Sequence, residues 1–277
     1  METTITTVVT GVEQVTPGFV RVRVTTPGEQ WVSTGAADEF IHVEVGADDV
    51  DAGDGHTSRH YSVSKVLSDG FEMEIALHGH GPGARWGQRV RPGDAVEVSE
   101  PKAYYAPPSA AHRRVLVGDA TALPAIARIL AEANPDESFS VVIELASMAD
   151  LRELPSAADV RVEWRIGGNG YAPSVLCSEL KGLLPGLRDA AHEPYVWVAC
   201  EASESRRIRQ NLRKEAQLPM AVMRIVGYWH GDKDHIMSVW NSLTEEQLAH
   251  AASIWREDRS DEENWVEYEP FLRSLGV

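Results

Sequence analysis

At 277 residues, 43% of them hydrophobic and 25% charged, the chain is long enough for one large or two ordinary domains with a full core. Its 42 acidic and 26 basic residues leave a formal charge of −16, which argues against nucleic acid or an anionic membrane as partner, since either needs a basic face. Only two cysteines occur, Cys177 and Cys200, neither in a C-x-x-C pair, so iron–sulfur and structural zinc sites are excluded. A reducing compartment is expected, with a single disulfide as the alternative. Met1 to Ile5 carry no basic or apolar leader, and no apolar run reaches membrane-spanning length, so a cytoplasmic protein is expected.

From residue 3 to about 100 the chain alternates strands and turns. Val20, Val22 and Val24 interleave with Arg21, Arg23 and Thr25; Ile41, Val43 and Val45 interleave with His42 and Glu44. Phe71, Met73, Ile75 and Leu77 do the same with Glu72, Glu74 and Ala76. This period of two marks antiparallel strands with one buried face. Turns at Pro17-Gly18, Pro27-Gly28, Asp69-Gly70 and Pro92-Gly93-Asp94 separate them, and about six strands so spaced predict a small closed barrel.

One strand of that barrel, Arg59-His60-Tyr61-Ser62-Val63-Ser64-Lys65, carries an unusual pattern. Strict alternation puts Arg59, Tyr61, Val63 and Lys65 on one face and His60, Ser62 and Ser64 on the other. A cation beside an aromatic ring suits a ligand with a phosphate at one end and a flat ring system at the other. Arg59 can grip phosphate oxygens in bidentate fashion, Tyr61 can lie against the rings, and Ser62 adds a small donor. An ordinary barrel strand with one exposed face is the alternative.

After Leu77 comes His78-Gly79-His80-Gly81-Pro82-Gly83-Ala84-Arg85-Trp86. Pro82 suits the first turn of a short helix, and bare amides at a helix N-terminus make an anion site. The glycines loosely imitate a dinucleotide fingerprint, but no βαβ unit surrounds them, so a Rossmann reading is rejected. His78 and His80 point oppositely on an extended chain and have no carboxylate at metal-ligand spacing, so they are read as serving the loop.

Pro101 to Ala111, with Tyr104-Tyr105, reads as a linker whose tyrosines either pack or stack on an adenine. Beyond it the period changes. Strands are predicted at Arg113–Gly118, Phe139–Leu145, Val160–Ile166, Tyr195–Ala199 and Met220–Trp229, with helices at Leu123–Ala133, Ser174–Leu184 and Ser203–Ala216. Alternation of strand and helix predicts a parallel α/β sheet, whose ligands collect at the carboxyl ends of its strands. Glu144 closes one such strand, where an acid can bind a ribose diol and repel a 2′-phosphate, so NADH is favoured over NADPH. Arg152, Arg165, Arg206 and Arg207 are the opposing signal. Cys200 ends another strand, with packing and influence on a nearby cofactor as its two readings.

From Asp232 the chain is an acidic tail, 11 acids against 4 bases. Thr244-Glu245-Glu246-Gln247 has the form of a capping box opening a helix, and Leu243, Leu248, Ala252 and Trp255 give it an apolar stripe. The stripe is expected to pack on its own domain, with a dimer contact as the alternative to a monomer.

An Arg-x-Tyr-Ser barrel strand followed by a parallel nucleotide domain resembles the ferredoxin–NADP reductase superfamily, and within it the siderophore-interacting (ferric-siderophore reductase) family. The stretches that carry the resemblance are Arg59 to Val63, His78 to Trp86, Gly118 to Ile126, Tyr195 to Glu201 and Gly227-Tyr228-Trp229-His230-Gly231. The resemblance implies a six-stranded FAD-binding antiparallel barrel over 1–108, an NAD(P)H-binding α/β domain over 109–231, and a helical tail over 232–277 packed on the α/β domain.

On the same resemblance, the barrel's FAD set is Arg59, His60, Tyr61, Ser62, Val63, His78, Gly79, Pro82, Gly83, Ala84 and Trp86. Arg59 and the helix opened by Gly83 and Ala84 would meet the pyrophosphate, Tyr61 the isoalloxazine ring, and Ser62 its N5 edge. Asp119, Thr121, Ala122, Glu144 and Glu201 would lie along the nucleotides, with no protein group acting as nucleophile or general base. Lys65 and Arg85 are candidates for a positive rim toward a ferric siderophore. Ser64 and His230 stand where the family commonly has arginine, Ala120 replaces a usual glutamate and Cys200 a usual glycine. The implied activity is a flavin-dependent ferric-siderophore reductase. The alternatives are a general flavin-dependent reductase and a non-catalytic siderophore-binding flavoprotein.

Overall fold

The structure, a computed structural model, describes residues 4–28, 31–45, 58–77, 81–187 and 194–277. Six antiparallel strands form the first half: β1 (Thr4–Thr16), β2 (Phe19–Thr25), β3 (Phe40–Glu44), β4 (Ser58–Leu67), β5 (Gly70–Ala76) and β6 (Ala95–Ser99). They close into a barrel in the order β1-β2-β5-β4-β3-β6, as the alternation predicts. The interior is filled by the apolar set, Val22, Val24, Ile41, Val43, Phe71, Met73 and Ile75 among them, while Arg21 and Arg23 turn outward. Helix α1 (Pro82–Arg89) lies over one end, with Gly87 close against Ile75.

The predicted alternation fails at one point. The β4–β5 register slips between Val63 and Lys65, so Ser64 is an extra residue and Lys65 leaves the face it would share with Tyr61. Lys65 is exposed opposite Glu72, and Val63 points into the barrel core.

The second half is a parallel sheet of β7 (Arg113–Asp119), β8 (Ser138–Leu145), β9 (Asp159–Ile166), β10 (Tyr195–Glu201) and β11 (Met223–Trp229), in the order β11-β10-β7-β8-β9. Helix α2 (Leu123–Ala131) covers the face toward the barrel; α3 (Leu176–Leu187) and α4 (Ala202–Lys214) cover the other. Strand order reverses between β7 and β10, so the crevice beyond their carboxyl ends is where a doubly wound sheet binds ligands. Gly118 lets the turn that leads into α2 approach there: a Cβ on it would lie 2.4 Å from the Cβ of Ala122 and 3.1 Å from Ile126 of α2. The expected boundaries hold to within a few residues, except that Met220–Val222 form a separate 3-10 turn before β11.

Buried polar contacts join the halves. Arg128 of α2 reaches the barrel, where its Nη1 donates to Glu39 Oε1 at 2.8 Å and to the Val63 carbonyl at 3.0 Å. Glu39 is fully buried and also accepts from Ser33, the Thr34 amide and the Thr34 hydroxyl. Asp150 accepts from Thr16 Oγ1 and the Gly18 amide, and Arg152 meets Glu74 at 2.6 Å. Asp38 accepts from the Tyr104 amide and Trp197 Nε1; burial pushes its carboxyl above the usual range despite those bonds.

Three helices follow: α5 (Lys233–Asn241), α6 (Glu245–Ile254) and α7 (Asp261–Ser274). Thr244 and Gln247 form the predicted capping box, and Ser260 and Glu263 form a second one that opens α7. Arg209 of α4, wholly buried, bonds Glu262 and Glu269 of α7 and stands 4.5 Å over the Trp265 ring. Among the described residues no helix is long and apolar enough to cross a membrane.

Candidate functional site

The β4–β5 ladder ends at the Val63↔Met73 pair, and from there toward its start β4 diverges from β5. A cavity of about 580 Å³ opens along the divergence. Ser58 to Ser62 form one wall, the start of α1 (Gly81 to Ala84) a second, and the end of β11 (Val226 to His230) a third, with Thr121, Glu74 and Ala76 below.

Each wall is built by local chemistry. The Tyr61 ring stacks near Trp86, centroids 5.9 Å apart and planes at 29°. Gly83 passes so close that a Cβ there would fall 2.4 Å from Tyr61 Oη, so only glycine leaves the helix start against the ring. Proline opens α1 and Gly81 at its N-cap offers no side-chain acceptor, so among the described residues no side chain caps the first turn, which includes Gly83 and Ala84. Arg59 enters the same space, one Nη1–H held by the Ser58 carbonyl at 2.7 Å. Ser58 Oγ is buried there without a hydrogen-bond partner among the described residues. Phe40 and Tyr104 stack at 5.2 Å, and Phe40 lies 5.7 Å from the His60 ring, so the outer wall is aromatic. Burial pushes the Tyr228 phenol, beside Ser62, above its usual range.

A second cavity, about 470 Å³, lies at the carboxyl ends of the sheet between the β9–α3 loop (Gly168 to Ser174), the start of α4 and α5. Asp119 organises it. Its Oδ1 accepts from the Thr121 amide (2.9 Å) and hydroxyl (2.6 Å), and its Oδ2 from the Glu201 amide (2.9 Å) and Trp229 Nε1 (2.7 Å). One carboxylate thus ties the ends of β7, β10 and β11. Asn169, at φ 54°, bridges the ends of β7 and β8, donating to the Glu144 carbonyl and accepting from the Ala120 amide, each at 3.0 Å. Glu144 accepts from the Val175 amide at 2.8 Å, and burial raises its carboxyl above the ordinary range. Glu201 caps α4 through the Ser203 and Glu204 amides and accepts from Gly231 N–H. Burial pushes its carboxyl up, but the Ser203 hydroxyl, which also donates to it, and these amides outweigh that and hold the group below its ordinary range.

The structure therefore brings Arg59, His60, Tyr61, Ser62, Pro82, Gly83, Ala84 and Thr121 together around the first cavity, and Asp119, Glu144 and Glu201 around the second. Val63, Trp86 and Ala122 stand behind the walls in the cores, and Lys65 and Arg85 do not line either cavity. His78 and Gly79, with His80, lie outside the described residues. Sequence reasoning left Phe40, Tyr228 and Trp229 out of the site, and left Tyr104 open between packing and stacking; it lines the first cavity. Trp229 walls both cavities, and its signal was the aromatic pair after Gly227 at a strand's carboxyl end. No group of three or more His, Cys, Asp or Glu that could hold a metal occurs among the described residues.

Both cysteines are buried as free thiols, which removes the disulfide alternative. Burial pushes Cys200 well above the usual thiol range, with Asp119 and Glu204 adding to it, and Cys177 is raised for the same reason. The native protein is expected to consume no thiol reagent within minutes at neutral pH, and both thiols after denaturation. A fast-reacting native thiol would contradict this burial.

Two known families match successive parts of the chain: residues 44–105 the siderophore-interacting FAD-binding domain, and residues 111–232 the siderophore-interacting protein. The chain belongs to the siderophore-interacting protein family. Among relatives of this family, the ferric acinetobactin reductase of Acinetobacter baumannii is 29% identical over 62% of this chain and 60% of its own. The chain spans less than two-thirds of the length of the curated relatives it matches. A siderophore utilization protein from T. fusca superposes with a TM-score of 0.68 at 25% identity, covering 82% of this chain and 93% of that one. The ferredoxin-NADP+ reductase of Plasmodium falciparum shares the fold, with a TM-score of 0.61 at 8% identity over 82% of this chain and 98% of that one.

Proposed function

We propose that this protein is a flavin-dependent ferric-siderophore reductase of the cytoplasm, with FAD in the first cavity and a nicotinamide nucleotide in the second. The carrying observation is the convergence of Arg59, the Tyr61 ring and the amides of Gly83 and Ala84 on one groove. The groove's glycine cradle, its first-turn amides and the buried Ser58 hydroxyl suit a pyrophosphate and a polar-edged ring system, which supports FAD as the occupant. In this reading residues 1–108 serve the flavin, 109–231 the nicotinamide nucleotide, and 232–277 cover the sheet.

When bound, FAD supplies the redox chemistry: NAD(P)H gives up two electrons, leaving NAD(P)+ and a proton, and two Fe(III) become two Fe(II). The chain's residues position and exclude water. Arg59 with the α1 amides holds the pyrophosphate, Tyr61 the ring face and Ser62 its polar edge. Asp119 holds the ends of three strands in register at the nicotinamide side. NADH is the expected donor, since Glu144, Glu201, Glu204 and Asp232 outnumber Arg206 and Arg207 on the second cavity's walls.

The test is reconstitution with FAD followed by anaerobic titration with each nicotinamide. The yellow protein is expected to bleach with NADH faster than with NADPH and to regain colour on adding a ferric siderophore. A protein that refuses FAD, or whose flavin neither donor reduces, would end this reading.

A further inference from the structure

Resting on the reductase reading, we propose that the acceptor is a ferric chelate without net negative charge, of the trihydroxamate class, and not a tris-catecholate trianion. The walls of the first cavity carry the argument. Among the described residues their exposed members are His60, Gly81, Gly227 and His230, two imidazoles and two glycines. Among the described wall residues Arg59 is the sole permanent cation, and the flavin reading assigns it to the pyrophosphate. The wall's Glu74 is buried and already met by Arg21 and Arg152.

Three hydroxamates carry three negative charges and neutralise Fe(III); three catecholates carry six and leave the complex at 3−. A trianion is recognised by guanidinium or ammonium groups at the rim, and none of the described rim residues supplies one. The whole chain, at −16, also repels such a complex during approach. The aromatic wall of Phe40, Tyr104 and His60 suits the alkyl and amide surface of a neutral chelate.

Redox-inert Ga(III) complexes separate docking from reduction potential. FAD-loaded protein titrated with the Ga(III) trihydroxamate and the Ga(III) tris-catecholate, followed by flavin and tryptophan fluorescence, is expected to bind the first at least about tenfold more tightly. Trihydroxamate affinity should stay flat between about 20 and 200 mM salt, while the trianion's weak binding improves as repulsion is screened. His230→Arg is expected to strengthen trianion binding about tenfold. Tighter wild-type binding of the trianion that loosens with salt would overturn the proposal, as would binding of neither complex, or a His230→Arg protein unmoved in trianion affinity. Flavin bleaching by NADH, measured alongside, shows whether the reductase reading falls with it.

Discussion

Arg209→Ala is expected to lower the melting temperature by about 10 °C, the equivalent of roughly 3–5 kcal/mol in a chain of this size. Arg209 is completely buried, and its guanidinium meets Glu262 at 2.8 Å and Glu269 at 3.3 Å, donates to the Ile225 carbonyl and faces Trp265. Glu262 in turn accepts from the Ile225 amide at 2.9 Å, so the network fastens α7 to the edge strand β11. Truncation leaves two buried carboxylates without counter-charge, and that uncompensated burial outweighs the lost contacts. Adding Glu262→Gln and Glu269→Gln should recover part of the loss. Thermal melting by circular dichroism decides it, with proteolysis of the tail as a second readout; an unshifted melt would refute the account.

Gly83→Ala is expected to weaken FAD binding at least about tenfold without lowering the stability of the flavin-free protein. Glycine-to-alanine in a helix ordinarily stabilises, by up to about 1 kcal/mol. Here the added methyl would sit 2.4 Å from Tyr61 Oη, so either the ring leaves its place near Trp86 or the start of α1 retreats from the groove. Both movements damage the wall assigned to the flavin. Fluorescence titration of FAD against wild type and variant reads the effect, and equal affinities would show that the Gly83–Tyr61 approach does not shape the site.

The barrel was legible because each strand keeps one face wet: Arg21 and Arg23 between Val20, Val22 and Val24 announce both the strand and its buried side. The Arg59–Ser62 wall was legible because a cation and an aromatic in adjacent alternate positions have few structural uses together. The slip at Ser64 was not, since a bulge is set by the partner strand β5 and leaves no mark in β4 itself. Trp229 and Asp119 became a pair only when the sheet order put β7 and β11 on either side of β10. Helix α7 escaped notice although Ser260 and Glu263 repeat the signal read at Thr244, because its acidic first turn and internal Pro270 blur its apolar stripe.

Arg128 belongs by sequence to the sheet half, yet the carboxylate it neutralises, Glu39, belongs to the barrel half. The two halves are therefore not interchangeable parts. A barrel transplanted from a relative would have to bring an acid to the place of Glu39, and a transplanted sheet a matching base. Recombination between such chains is viable only where both crossover products keep that complementarity.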